Sequence, residues 1–509
     1  MKPGSITRSA RGGALNLASK KQPCTVGIDV GTSSVKAVLA DANGAVLSSA
    51  SAPCSVQHPA PVWAEIHPGQ WWDGVARAVR ALEVAGRDVL GIGISVLYPA
   101  LVLFDRAMNP VRPAILYCDQ RSAAESAELL ARYGEKAARR LTGNAFPAGS
   151  ASITSLLWVK KHEPQAFERT AKVGHANTFL VHRLTGEFAI DYSNASLSGL
   201  LDTKRNQWSS ELCDLAGLTL AHLPRLMPGT AAAGALSNDA ASLLGLPPGL
   251  PVAAGAGDTA CSALGIGVSD EIELFLCCGS TNNFVRLART PEFDNGLINS
   301  SWLDGSTWLN VGTTNASGAA VQWFVKNYLG AGEYERFFEL CGRSSPGAGG
   351  IVFLPYLAGE RTPWYDPKAR AVFFGITGAS SLADLARAVA EGVCFADRHI
   401  LEVFERAGAP VKAIIATGGG TRGEMMRQIR TDVLGREMRF SATTDASALG
   451  AALLGAVAAG VHAGPREAAA VARNAATCSR YLPDQHRRAS YEKPYSVYTR
   501  LYPRLKDLF

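Results

Sequence analysis

Gly27-Ile28-Asp29-Val30-Gly31-Thr32-Ser33-Ser34-Val35-Lys36-Ala37-Val38-Leu39-Ala40-Asp41 is the stretch whose reading decides the fold. Two apolar, β-branched runs flank a turn of glycine and hydroxyl residues. A second turn follows at Asp41-Ala42-Asn43-Gly44, so the segment predicts a β-meander that opens a domain. An acid at the end of the first run, followed by Gly31, Thr32 and Ser33, can set a carboxylate near Mg²⁺ and turn backbone N–H groups toward phosphate oxygens. The same residue types also make ordinary hairpin turns, so the turn alone leaves both readings open.

Further along, the chain repeats this logic. ELFLCCGSTNNFVRLA (residues 273–288) is again an apolar run, a turn at Gly279-Ser280-Thr281, and a second apolar run. VAAGAGDTACSALGIGV (252–268) predicts a strand that breaks at a glycine turn and continues as a helix of small residues. An aspartate in such a turn, Asp258, can act as a general base on a hydroxyl or simply cap the helix. No GxGxxG with a following acid completes a dinucleotide fingerprint around it. KAIIATGGGTRGEMMRQIRTDVLG (412–435) predicts strand, glycine turn and helix, with a loop that allows close backbone approach. Two similar α/β domains facing a cleft are expected, with the boundary near residues 255–270.

Length and composition agree with this plan. The 509 residues exceed one ordinary core, and 47% hydrophobic with 18% charged residues is a globular balance. A net charge of +6 with no basic, aromatic-interleaved run excludes nucleic acid as a main partner. Ten cysteines without CxxC pairs, and nine histidines without HExxH spacing, exclude a disulfide scaffold and a zinc site. Reduced thiols in a cytoplasmic protein are expected. The first 22 residues are basic and small with no apolar core, which predicts a disordered tail and not a secretory signal. ALGAALLGAVAAGV (448–461) falls short of a membrane span and is read as a buried helix. Trp71 and Trp72 are read as packing, and the acids of AAESAEL (123–129) as a solvated helix face.

In order and wording, these segments resemble the FGGY family of carbohydrate kinases, most closely its xylulokinase branch. The resemblance rests on GIDVGTSSVKAVLAD, WAEIHPGQWW (63–72), RPAILYCDQR (112–121), GAGDTACSALGIG, FLPYLAGERTPWYDPKARAVFFGIT (353–377), ATGGGTRGEMMRQI and DASALGAALLG (445–455), spread over nearly the whole chain. It implies an α/β, actin-like ATPase fold of two ribonuclease-H-like domains around an ATP and sugar cleft. The expected division is a tail over 1–22, an N-terminal domain over 23–265 and a C-terminal domain over 266–509. By position, it implies Asp258 as catalytic base and Asp29 as the residue organising Mg²⁺. It places Gly31, Thr32 and Ser33 in the first phosphate loop and Gly279, Ser280 and Thr281 in the second. Gly318 and Gln322 fall near the nucleotide, Gly419 and Gly423 in the adenosine loop. Tyr98, Tyr117, Asp119 and Thr259 fall on the substrate side with Asp258.

The implied reaction is transfer of the γ-phosphate of ATP to a hydroxyl of a ketopentose such as xylulose, or of a related sugar or polyol. The implied partner is that small molecule, with neither nucleic acid nor membrane, in a chain that can form a homodimer. Where the xylulokinase branch has Gly-Gln-Met-His, this chain has Ser95-Val96-Leu97-Tyr98-Pro99, which puts the identity of the sugar in question. Tyr98 can contact substrate or be a core aromatic. Asn282 stands where a Gly is common. The alternatives are a kinase for another hydroxylated molecule (a tetritol, a pentitol or a signalling furanone) and a non-kinase ATPase scaffold.

Overall fold

A computed structural model describes residues 21–269, 272–293, 296–408 and 411–509. Most of the expected tail lies outside the described residues, while Gln22 already belongs to the first strand. Gln22–Val30, Ser34–Asp41 and Val46–Pro53 form the antiparallel meander, and Arg87–Val96 adds parallel to the first strand. Its second turn closes as expected, with Asp41 Oδ1 accepting from the N–H groups of Asn43 and Ala45 and Gly44 in the left-handed region at φ 78°.

The second half repeats the pattern. Glu273–Cys278 and Asn282–Ala288 form a hairpin, Trp308–Thr314 extends it antiparallel, and Ala413–Thr417 adds parallel to Glu273–Cys278. Numbering in chain order only the five strands of each run, Val46–Pro53 through Pro251–Ala253 and Trp308–Thr314 through Glu437–Ser441 both lie in the order 3-2-1-4-5. Two sheets of one topology explain why both Gly-Ser/Thr turns sit at the same end of a first strand.

Small residues decide how the halves meet. Helix Ala446–Ala458 lies against the first sheet so closely that a Cβ at Gly27 would collide with the Ala448 carbonyl, and one at Gly93 with the Ala451 carbonyl. Helix Asp258–Gly265 crosses the same helix through Gly265 and Gly450, each against backbone of the other. The apolar run near 448 is therefore a buried helix, its alanines and glycines setting the separation of the layers. No helix among the described residues is long and apolar enough to cross a membrane.

Between residues 100 and 227 the chain builds a helical lobe on a four-stranded sheet (Glu65–Ile66, Ala114–Leu116, Ala100–Phe104, Lys172–His175). Trp71 and Trp72 pack inside as expected. Glu125 does not: it is buried with its side chain 3.6 Å from Lys161 and from His162, while Glu128 stays in solvent. The AAESAEL helix lies on helix Ser152–His162, so one of its acids is buried by tertiary packing and only the other faces water.

Candidate active site

Asp29 is next to last in the first strand, opposite Ser95 in the parallel register. Ser95 Oγ donates to Asp29 Oδ1 at 2.7 Å, and Ser447 Oγ donates to Oδ2 at 2.6 Å. Ser447 sits in the first turn of helix Ala446–Ala458, next to Asp445, whose carboxylate pairs with Lys36 at 2.8 Å. Burial raises the Asp29 pKa above the ordinary aspartate value, against the pull of the two serine hydrogen bonds and Lys36.

Asp258 opens helix Asp258–Gly265, and Thr259 Oγ1 donates to its Oδ1 at 3.1 Å. Burial, then the charge of Asp29, pushes its pKa up to about 7. The charge of Asp29 acting on Asp258 puts the two carboxylates in one site. The field of Asp258 reaches Cys277, next to last in the strand leading into the second loop.

Gly279, Ser280, Gly318, Gln322 and Gly419 line one cavity of about 440 Å³, the size of a nucleotide site. Gly318 N–H donates to the Gly279 carbonyl at 3.0 Å, and a Cβ at Gly318 would lie 2.5 Å from that oxygen. Gly418, in the left-handed region at φ 100°, closes on the Cys278 carbonyl. Thr281 and Gly423 belong to the same two loops without forming its walls. Gly31, Thr32 and Ser33 form the first loop, closed by Gly31 N–H to Ser34 O at 3.0 Å and partly open to solvent. Ser317, Tyr334, Phe338, Gly420, Arg422 and Arg430 also line the cavity. Sequence reasoning did not single these out, although Gly420, Arg422 and Arg430 lie inside the quoted stretch 412–435.

On the other side of Asp258, the Tyr98 ring packs flat on Gly257, so closely that a Cβ there would enter it. Ser300 and Thr259 face the Tyr98 hydroxyl, whose pKa is raised by burial and by Asp258. Tyr98 is thus a half-buried aromatic placed beside Asp258. Tyr117 lies between the charges of Asp258 and Arg361, and burial raises its pKa first.

Asp119 departs from its expected place on the substrate side. It is fully buried, and its carboxylate takes Arg121 Nε at 2.9 Å, Arg121 Nη2 at 2.7 Å and the Ala64 N–H at 2.6 Å. Arg121 is itself held 3.8 Å over the Trp63 ring and 2.7 Å from Glu65. This acid fastens the Tyr117 loop from behind and has no surface left for a ligand. Glu360, in the GERTP segment, was also missed: buried, with Oε1 accepting from Asn315 N–H at 2.8 Å and Arg361 N–H at 2.7 Å, it ties the loop before Gly318 to the cleft. Burial pushes its pKa up to about 7.

Asp29 offers a cation lone pairs beyond those its serine bonds use, and its charge, which bears on Asp258, gives a divalent ion something to neutralise. Among the described residues no group of three or more ligating side chains forms a metal cage. The residues fit a Mg²⁺ held through water and nucleotide phosphates.

With a nucleotide-sized cavity built on the loop after Cys278 and a buried carboxylate pair, Asp29 and Asp258, whose field reaches that same strand end at Cys277, fold and site define a nucleotide-dependent phosphotransferase. The sequence carries the assignment further. The FGGY family of carbohydrate kinases matches by its N-terminal domain over residues 24–265 and by its C-terminal domain over 274–459, and the chain belongs to that family. The chain is 32% identical to a xylulose kinase of Escherichia coli K12 over 488 residues, which is 95% of this chain and 99% of the other. Among solved structures, a xyloylose kinase from Brucella ovis superposes with a TM-score of 0.89 at 32% identity, covering 96% of this chain and all of the other. A xylulose kinase from Rhodospirillum rubrum does so with a TM-score of 0.89 at 29% identity, covering 95% and 99%. The fold is the actin-like one of two ribonuclease-H-like halves, and the chain is a sugar kinase with ATP as phosphate donor and a small-molecule sugar as acceptor.

Proposed function

We propose that the enzyme phosphorylates a ketopentose of the xylulose kind, with Asp258 as general base and Asp29 as the residue through which Mg²⁺ is organised. The observation that carries it is the Asp258 carboxylate. Its position at a helix start, its place beside Asp29 and Tyr98, and a pKa raised to about 7 suit a base working near neutral pH. The relatives named xylulose kinase supply the sugar class.

In this mechanism the nucleotide spans the cavity, its base toward Gly419 and its phosphates toward Gly279 and Ser280. Asp258 accepts the proton of the sugar hydroxyl as that oxygen attacks the γ-phosphorus in line. The backbone N–H groups of the loops at Gly31–Ser33 and Gly279–Thr281 offset charge on the moving phosphoryl group. When bound, Mg²⁺ would neutralise phosphate charge beside Asp29. Positioning supplies most of the acceleration. Closure of the two proposed domains, 23–265 and 266–509, keeps water from taking the acceptor's place.

Tyr117, Thr259 and Tyr98 would line the acceptor side. Tyr98 favours a second reading of the acceptor: its ring occupies space beside the base, so a shorter or less polar polyol would fit there. All ten cysteines are free thiols, which agrees with a cytoplasmic enzyme; the expected homodimer is a matter for sedimentation. The deciding experiment measures ADP release over a panel of ketoses, tetritols, pentitols and sugar acids. D-xylulose leading the panel supports the proposal; a tetritol leading it supports the second reading.

A further inference from the structure

From Arg430 in the lining of the nucleotide cavity, a chain of three buried polar side chains runs inward that the mechanism above leaves without a task. Asn282, the first residue after the second loop, donates from Nδ2 to Asp397 Oδ1 at 2.7 Å. Asp397 Oδ2 accepts from Arg430 Nε at 2.9 Å. Arg430 Nη1 donates to the Gly420 carbonyl at 3.0 Å. Asn282 and Asp397 are fully buried and Arg430 is 1% exposed.

The three come from different elements: strand Asn282–Ala288, helix Leu382–Arg406 and helix Glu424–Leu434. The two ends of the chain are the two loops of the cavity. One end directly follows Gly279-Ser280-Thr281; the other grips Gly420, beside Gly419, in the loop after the neighbouring strand Ala413–Thr417. Residues of both loops line the cavity, so a nucleotide lying there depends on how the loops are set relative to each other.

Stability does not account for this arrangement. A buried ion pair is worth little against well-packed apolar side chains of the same volume, because desolvation offsets the attraction. A chain of directed hydrogen bonds does what apolar packing cannot, which is to fix a distance and an orientation. The arginine is needed for its planar fork, with Nε on the carboxylate and Nη1 on the carbonyl; a lysine has one compact head for the two tasks.

We propose that Asn282, Asp397 and Arg430 are positioning residues that lock the phosphate loop to the glycine loop at the spacing a bound nucleotide requires. The inference rests on the kinase reading only in placing the nucleotide in this cavity. It needs no assumption about the sugar.

The test is calorimetric ADP and ATP binding without acceptor, on the full chain and on Asn282→Gly, Arg430→Lys and the double variant. Each single change weakens nucleotide binding on the order of tenfold, as expected for one lost hydrogen bond to a charged group. The double variant is no weaker than the worse single one, because a chain already cut cannot be cut again; residues acting independently would multiply their effects. The KM for the acceptor stays within about twofold, which a general loosening of the fold would not leave untouched. Folded single variants with unaltered affinity, or effects that multiply, would overturn the proposal. Asn282→Gly, which puts at this position the residue common in the resembling family, carries the test alone if Arg430→Lys does not fold. An unaltered protein that binds no nucleotide would overturn the kinase reading and this inference with it.

Discussion

Replacing Asp258 by asparagine is expected to abolish transfer while making the unliganded protein more stable. In the fold this carboxyl stands at about 7 against an ordinary value of 3.8, raised by burial and by Asp29. Each tenfold difference in proton affinity is worth about 1.4 kcal/mol, so ionising it in place disfavours the folded state by about 4 kcal/mol. The sign follows from proton counting. Between pH 4 and 7 the folded chain holds a proton that the unfolded chain has lost, so stability falls as pH rises through that window and stays at its lower level above it. An amide never carries the charge, so the melting temperature of Asp258→Asn should match the unaltered protein near pH 4 and exceed it increasingly up to pH 7 or 8. At the same time the maximal rate should fall by about 10²–10⁴, the share a general base supplies. Thermal melts across pH 4 to 8, beside ADP-release assays, read both effects. A variant less stable at pH 8, or a stability difference flat with pH, would refute the placement of a strained charge at 258.

Further outcomes follow from the same geometry. Gly318→Ala would put a methyl 2.5 Å from the Gly279 carbonyl, and should raise the KM for ATP while leaving that for the sugar alone. Asp119→Asn should cost about 3–5 kcal/mol by weakening the hold on buried Arg121, read as a lower melting temperature with little change in acceptor KM; a selective loss of sugar binding would instead return Asp119 to the substrate side. Gly93→Ala should cost about 1–3 kcal/mol or more by forcing helix Ala446–Ala458 off the sheet, again visible in a melt. Tyr98→Phe should alter the ranking of acceptors without altering the KM for ATP, since its hydroxyl faces Ser300 and Thr259 and lies away from the cavity.

The parts legible in the sequence are those fixed by local chemistry. A strand, a Gly-Ser/Thr turn and a second strand can be read from Gly27–Asp41 and again from Glu273–Ala288 because turn residues act on their own backbone. The helix near Ala448 was legible from composition alone. The parts that were not legible depend on which distant residue arrives. Nothing near Asp29 announces that Ser447, 418 positions later, will hold its second oxygen. Asp119 stands on the substrate side by resemblance, which does not show the packing by which Arg121, two residues on, holds it inward beside Trp63 and Glu65. Glu125 was misread for the same reason, since helix periodicity does not say which face another helix will cover. Arg430 and Asp397 lie in amphipathic helices, where a buried ion pair leaves no pattern in one sequence.

The most direct test of the account is coupled ADP release by the full chain with and without D-xylulose, with the phosphorylated product identified by mass. The account predicts release that requires the acceptor, one sugar phosphate formed per ADP, and loss of both in Asp258→Asn. Steady ATP hydrolysis indifferent to every sugar and polyol, and undiminished in that variant, would contradict it.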